Sequence, residues 1–454
     1  MTAQAVRMNT ADRRITGIAW VLLAAAVLHG LMFIYDQFHP SVFFNADRAL
    51  ARWQAIQGLY EAWDADRLAS YLASHGIPGD YLFQAVLLAW IGKPGLILAQ
   101  IGLALLAGFA VYRIGCLLGM ARAWAVLASG VYLLLPHTLI FAHQLASEAL
   151  YSPLLTISLW WTLASIARRD ASGLWLGAMT AGIATLIRPV TLLWPILPAL
   201  ALLAAKRYRA AAAYVAVACL PLALWMAFMA GQTGSIGLGQ SDHDMAHNLY
   251  QRTARMVETL PLAEQAAARE RYLTSGAIGV LGVGEYLKFG LQYPALFLSH
   301  SARDSVIFLA KSGLERIPID YLLLNVEARA GLQDADSGWR KRLETQGPGA
   351  ALGYLWRTQG AVLVASLVGS ILLLAMMGLA VVGTLDLLKR RAGGVQEKRA
   401  AVLLVALPLY VFVFSQVVDA MQSRHRAPAE GALVLLAVAG AARGIAARNR
   451  GAKS

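Results

Sequence analysis

Charge is scarce in this chain. Only 14% of its 454 residues are Asp, Glu, Lys or Arg, against about 25% in a soluble domain. That shortage, with 58% hydrophobic residues and a mean hydropathy of +0.56, excludes an ordinary soluble fold. Cysteine is nearly missing as well. The two present, Cys116 and Cys219, both fall inside apolar segments, where a thiol serves most simply as a small packing residue. No disulfide framework and no cysteine-type zinc site can be built from them. A cleavage site of the small-x-small kind is lacking after the first apolar segment (Ile18–Tyr35), which is also longer than a signal-peptide core, so that segment is expected to stay as a spanning helix. The paired half-repeats common in transporters are not apparent either.

What is present is a series of apolar stretches near 20 residues, the length that crosses a hydrocarbon core of about 30 Å. The expected spans are 16–35, 95–117, 123–141, 147–166, 173–187, 190–205, 210–230, 360–387, 400–419 and 431–447. The net charge of +13 would suggest a nucleic-acid partner in a soluble protein. Here the basic residues cluster between spans: Arg7, Arg13 and Arg14; Arg113 and Arg122; Arg168 and Arg169; Lys206, Arg207 and Arg209; Lys389, Arg390, Arg391, Lys398 and Arg399; and the tail with Arg443, Arg448, Arg450 and Lys453. Every second short connection is basic. By the positive-inside rule, ten spans with both termini in the cytoplasm fit this alternation.

The expected fold is therefore an all-α polytopic membrane protein with about ten transmembrane helices and interfacial helices in two long outer loops. It divides into an N-terminal membrane module (1–230, seven spans), a second outer loop (231–359) and a C-terminal membrane module (360–454, three spans). The first outer loop, 36–94, contains Asp47–Tyr60 and Asp66–Ser74 with helical amphipathic spacing, then a Gly-Ile-Pro-Gly breaker at 76–79. The apolar run Tyr81–Ile91 is too short to span and is expected to lie in the interface or re-enter. Glu285–Leu298 and Arg303–Leu309 in the second loop read the same way.

Ionisable groups inside a span cost about 2.5–3.5 kcal/mol each on insertion scales, and the spans are nearly free of them. Polar groups collect instead where spans meet the outer face: Asp36, Asp47, Asp80, His143, Glu148, Arg188, Asp419, Arg424, His425 and Arg426. They come from distant parts of the chain yet share one expected depth, which implies a site at the outer surface roofed by the long loops. Asp47, at an expected helix start, suits either a general base or a carboxylate favoured by the helix dipole. Arg424 and Arg426 suit a phosphate, which guanidinium groups bind in a bidentate manner, or lipid headgroups. Arg188, before Pro189, needs an acidic or phosphate partner at its depth; Glu148 can supply one, as an ion pair or within a substrate site. Asp242, His243, Asp244 and His247 are metal-type ligands at a spacing that matches no metal motif, and no metal site is assigned. His29 in the first span reads as a packed neutral histidine.

Four stretches together carry a family resemblance. They are Asn-Ala-Asp-Arg-Ala-Leu-Ala-Arg at 45–52; Gly-Asp-Tyr-Leu-Phe-Gln at 79–84, ending in Ile91-Gly92; Ser147-Glu148-Ala149-Leu150 with Pro153, followed by Ile187-Arg188-Pro189; and Arg424-His425-Arg426-Ala427-Pro428. In this order they resemble bacterial members of the C-type (polytopic) glycosyltransferase superfamily, near the dolichyl-phosphate-mannose protein mannosyltransferases and the lipid A aminoarabinose transferases. Two positions depart from the pattern: Arg48 stands where many members have a second acidic residue, and His425 replaces the usual tyrosine.

The resemblance implies a membrane enzyme of the bacterial inner membrane that moves a sugar from a polyprenyl-phosphate donor to a lipid or glycan acceptor on the periplasmic side, with inversion and no cofactor; the basic clusters between spans argue against a nucleic-acid partner. It implies Asp47 as catalytic base, and Arg424, Arg426, His425 and Arg188 around the donor phosphate. Glu148, Asp80, Asp36 and His143 would support the cavity. The rival classes are a lipid-linked glycan flippase, which would place ionisable or helix-breaking residues at mid-membrane depth in paired halves, and a glycan polymerase, which would lack the acidic motif after the first span.

Overall fold

The computed structural model describes residues 2–45, 49–75, 79–168, 170–234, 236–238, 240–273, 281–314, 316–321, 345–389, 395–418 and 423–451; within its helices the side chains of 2–16, 65–66, 240–247, 281–283, 307, 319–320, 348, 351–352, 355, 358–359, 395–397, 416–418, 423 and 450–451 lie outside the description. Among the described residues there are helices and no strands. In chain order the α-helices are α1 (Thr2–Phe38), α2 (Ala49–Glu61), α3 (Ala65–His75), α4 (Gly79–Leu117), α5 (Arg122–Leu133), α6 (Pro136–Phe141), α7 (Glu148–Arg168), α8 (Ala171–Ile187), α9 (Ile196–Ala204), α10 (Tyr208–Thr233), α11 (Gln240–Val257), α12 (Leu262–Leu273), α13 (Leu281–Gln292), α14 (Pro294–Ala310), α15 (Arg316–Tyr321), α16 (Pro348–Lys389), α17 (Val395–Val418) and α18 (Glu430–Gly451). Short 3₁₀ turns cover Pro40–Phe44, Pro189–Thr191 and Ser423–Ala429.

Seven helices among the described residues are long and apolar enough to cross a membrane, carried by Gly17–Phe38, Gly79–Leu117, Glu148–Arg168, Tyr208–Thr233, Gly360–Lys389, Lys398–Ser415 and Arg424–Asn449. The chain is thus an all-α, multi-pass membrane protein. Three of the ten expected spans are shorter than that. The stretch 123–141 breaks into α5 and α6, because Pro136 holds Leu135 extended (φ −62°, ψ 139°) and a residue before proline disfavours helix. The stretch 190–205 becomes a three-residue turn at Pro189 and the nine-residue α9, about 13 Å of helix. The stretch 173–187 forms α8, 17 residues and apolar throughout, about 25 Å long.

α7 is the central helix. In its apolar stretch 89% of residues are buried by protein, against 17% in the stretches of α1 and α16, so α7 lies among other helices while α1 and α16 turn most of their surface outward. The main core joins α4, α5, α7, α8, α17 and α18 through Ala107, Val111, Tyr132, Leu155, Leu163, Ala181, Leu404 and Val434. A second cluster, with Phe43, Ile56, Leu59, Tyr81, Ala85, Ile97 and Leu145, seats the first outer loop on the ends of α4 and α7.

The short apolar run of the first loop is helical, as the start of α4. It is separated from the spanning part by Gly92, whose backbone (φ 67°, ψ −177°) is open only to a residue without Cβ. Phe83, Trp90 and Ile91 face outward from this first half while Tyr81, Gln84 and Ala85 are buried. That is the division of a helix lying along an interface. In the second outer loop, Pro294 splits the expected Glu285–Leu298 helix into α13 and α14. α16 begins at Pro348, before the expected module boundary at 360, and runs 42 residues.

Candidate functional site

Glu148 opens α7. A carboxylate in the first turn meets the unsatisfied N–H groups and the positive end of the helix dipole, so the position suits it even when buried. Arg188 closes α8. Pro189 forces its backbone extended (φ −142°, ψ 120°), and the guanidinium leaves the helix axis and reaches Glu148, Nη1 to Oε1 at 2.5 Å. Arg424 enters from the 3₁₀ turn before α18, with Nε 3.7 Å from the same oxygen. Ser147 donates to the other carboxylate oxygen, Oγ to Oε2 at 3.2 Å.

A third guanidinium comes from the first outer loop. Arg52 of α2 donates through Nε to Asp80 Oδ2 at 2.5 Å and through Nη2 to Ser147 Oγ at 3.1 Å. Asp80 sits in the first turn of α4, again at a helix N-terminus. Arg52, Asp80, Ser147, Glu148, Arg188 and Arg424 therefore form one network assembled from α2, α4, α7, α8 and the turn before α18. Among the described residues it joins three guanidinium groups and two carboxylates. The carboxylate at its centre is sealed, with a side-chain exposure of 2%, while Arg52, Arg188 and Arg424 keep 15%, 19% and 14%. Asp80 is as exposed as the three arginines, at 15%, so the open side of the network presents guanidinium groups and one carboxylate.

Arg426, expected beside Arg424, is turned the other way. It is 1% exposed and donates to the carbonyls of Phe308, Lys311 (3.1 Å) and Ser312 (3.5 Å) and to Glu430 Oε1 (3.3 Å). Those carbonyls lie at the C-terminal end of α14, where a helix leaves acceptors unsatisfied. Arg426 thus ties the second outer loop to the start of α18. Glu430 is held in turn by His137, Nδ1 to Oε1 at 2.7 Å. His425 is buried between the two arginines, 6% exposed.

Asp36 and His143 meet, but outside the arginine network: His143 Nδ1 lies 2.5 Å from Asp36 Oδ2, and His143 Nε2 lies 2.9 Å from His29 Nδ1. Asp47 and Asp419 lie outside the described residues, as do the side chains of Asp242, His243, Asp244 and His247. Among the described residues, no three His, Cys, Asp or Glu side chains converge so as to hold a metal ion.

No protein-family model matches this chain, and no curated protein is similar to it in sequence. Function must come from the geometry. Arg52, which closes the 45–52 stretch, and Ser147 join the site without a role expected from sequence; the signal for Arg52 is an arginine on an otherwise amphipathic helix, five positions after Asp47. Arg316 is a further such residue: its Nη2 donates to the Asn45 carbonyl at 2.9 Å and its guanidinium sits 5.6 Å from the centre of the Phe141 ring. It reaches from the second outer loop to the first. That contact has no local sequence signature, because its partners are a main-chain oxygen and an aromatic face.

Proposed function

We propose that the protein is a membrane glycosyltransferase that takes a sugar from a polyprenyl-phosphate donor and passes it to a lipid or glycan acceptor on the extracytoplasmic face of a bacterial inner membrane. The single observation that supports this reading most is the gathering of Arg52, Arg188 and Arg424, each partly exposed, around the sealed carboxylate of Glu148 at the ends of apolar helices. In this proposal the fold is C-type glycosyltransferase-like, with the seven long helices, α5–α6, α8 and the Pro189–Ala204 stretch that ends in α9 making up ten crossings, and both termini are cytoplasmic.

The chemistry follows from charge. The acceptor hydroxyl oxygen forms a bond to the anomeric carbon as the bond from that carbon to the phosphate oxygen breaks, inverting the centre. The hydroxyl proton passes to the Asp47 carboxylate, a general-base role worth about 10²–10⁴-fold in rate. The bonding electrons leave on the lipid phosphate, whose charge grows from one negative unit toward two. Fixed guanidinium groups in a poorly hydrated site stabilise that growth without reorganising. We assign the phosphate contact to Arg424, Arg188 and Arg52, with Glu148 and Asp80 spacing the cations. Arg426 and His425 act by holding the turn that presents Arg424.

The test is transfer by purified protein from polyprenyl-phosphate sugars to candidate acceptors, wild type against Asp47→Asn and Arg424→Ala. Loss of turnover with retained donor binding is expected for the first, and loss of donor binding for the second. Unchanged turnover in Asp47→Asn removes Asp47 as the base. Failure of wild type to bind any polyprenyl-phosphate sugar removes the reading itself.

A further inference from the structure

A second cluster of titratable groups is buried away from the arginine network. His29 and Asp36, both on α1, and His143, in the connection between α6 and α7, are 0%, 1% and 0% exposed. They form a line. Asp36 Oδ2 contacts His143 Nδ1 at 2.5 Å, His143 Nε2 contacts His29 Nδ1 at 2.9 Å, and the two imidazoles lie within 14° of parallel. The far nitrogen, His29 Nε2, is buried with no hydrogen-bond partner. Seven residues of helix separate His29 from Asp36, about 10 Å along the axis.

Three ionisable groups are costly to keep inside a spanning bundle, and such groups there commonly mark proton relays. One hydrogen arrangement makes both contacts of the line with the carboxylate ionised: His143 Nδ1–H donates to Asp36 Oδ2, His29 Nδ1–H donates to His143 Nε2, and His29 Nε2 and Asp36 Oδ1 are left without a hydrogen-bond partner. The tautomers are assigned from these partners. A proton arriving at His29 Nε2 then needs no heavy atom to move. The Nδ1 proton of His29 passes to His143 Nε2, and the Nδ1 proton of His143 passes to Asp36 Oδ2; the line gains one proton and one positive charge, with no other bond made or broken.

The same connection reaches the arginine network. Residues 142–147 form no regular helix yet are almost wholly buried, from Ala142 at 2% through His143, Gln144, Leu145 and Ala146 at or near 0% to Ser147 at 4%. Connections normally run over the surface, where water satisfies their backbone. This one is pinned instead: Leu145 N–H donates to the Phe43 carbonyl at 2.9 Å, Gln84 Nε2 to the Ala146 carbonyl at 3.2 Å, and Arg52 to Ser147 Oγ. Five residues after His143 stands Glu148. The pinned segment 143–148 thus joins the line directly to the arginine network.

We propose that Asp36, His143 and His29 are a proton-binding site that takes up one proton per molecule and, through residues 142–147, sets how the Glu148 network receives an anion. The groups facing it bear on the sign. Tyr35 on the same helix and Lys93 from α4 face Asp36; burial and Lys93 disfavour an added positive charge, whereas Asp36, in direct contact with His143, favours it. The coupling half rests on the reading of the arginine network as a lipid-phosphate site; the proton site does not.

The experiment compares purified full-length wild type with His29→Gln, which keeps a polar side chain and cannot titrate, and with Asp36→Asn. Thermal stability is followed from about pH 5 to pH 8, the range in which histidine changes charge. The expected result is that wild type gains stability relative to His29→Gln as the pH falls, by about 2 °C or more in Tm across that range. A constant offset, or a wild type that loses stability relative to the variant as the pH falls, means a packed neutral histidine and overturns the proton site. Farnesyl phosphate then serves as the probe of the arginine network. Its affinity ratio between wild type and His29→Gln is expected to change about fivefold between the two pH limits, and an unchanged ratio overturns the coupling. If farnesyl phosphate binds neither protein, the lipid-phosphate reading and the coupling fall together, and the stability arm alone decides the proton site.

Discussion

Arg188 and Glu148, forty residues apart in the chain, meet with Nη1 2.5 Å from Oε1. Their contact joins the start of α7 to the end of α8 and makes Glu148 the shared counter-ion of two arginines far apart in the sequence, Arg188 and Arg424. Removing one partner of such a pair strands the other in a poorly solvated place. Glu148→Gln is therefore expected to destabilise the purified protein by about 3–5 kcal/mol, read as a fall in the thermal or denaturant midpoint. The double variant Glu148→Gln/Arg188→Met should recover part of that loss. Additive losses in the double variant would mean that the two side chains are not coupled.

Arg424 and Arg426 stand two residues apart and are expected to fail differently. Arg424→Ala removes a partly exposed cation and should weaken lipid-phosphate binding with little loss of stability. Arg426→Ala strips donors from the carbonyls of Phe308, Lys311 and Ser312, a loss of at least about 1–3 kcal/mol for buried polar groups left unpaired. It should also speed proteolytic cleavage near residues 308–312. Identical behaviour of the two variants in both assays would refute this division.

α16 and α18 cross with almost no side chain between them. A Cβ on Gly383 would stand 1.8 Å from the Leu436 carbonyl oxygen, and one on Gly440 would stand 2.1 Å from that of Leu379. Small residues at such crossings let backbones approach where lipid supplies no hydrophobic drive. Gly383→Val is expected to cost at least the 1–3 kcal/mol typical of overpacking, about 3 kcal/mol or more. Gly378→Ala on the same helix, with nothing within 4 Å of its added Cβ, should be neutral or slightly stabilising. Equal midpoints for Gly383→Val and wild type would show that the crossing is looser than described.

The proposed topology places Trp63 outside and Arg209 inside. Both side chains are exposed, so cysteines at 63 and 209, with Cys116 and Cys219 replaced by Ala, will report it. An impermeant thiol reagent added to intact cells should label position 63 and spare 209 until the membrane is opened. Labelling of 209 in intact cells would invert the arrangement.

Much of this protein is settled locally. Apolar stretches long enough to cross a bilayer, basic clusters between them and amphipathic segments in the first loop are properties of neighbouring residues, so they can be read along the chain; α1, α4, α7, α10 and α16–α18 follow from them. Where three of the ten expected spans are shorter than a long helix, at Pro136, at Pro189 and in the 17-residue α8, proline chemistry and segment length decide, and both are written in the sequence. Which polar residues converge is a different matter. That Arg188 meets Glu148, that Arg52 joins them through Asp80 and Ser147, and that Arg426 turns inward to cap α14 while Arg424 faces the network depend on how helices far apart in sequence pack. A guanidinium inside a bundle must find oxygens, and whether those belong to a carboxylate or to the end of another helix is decided by which surface the fold puts in reach.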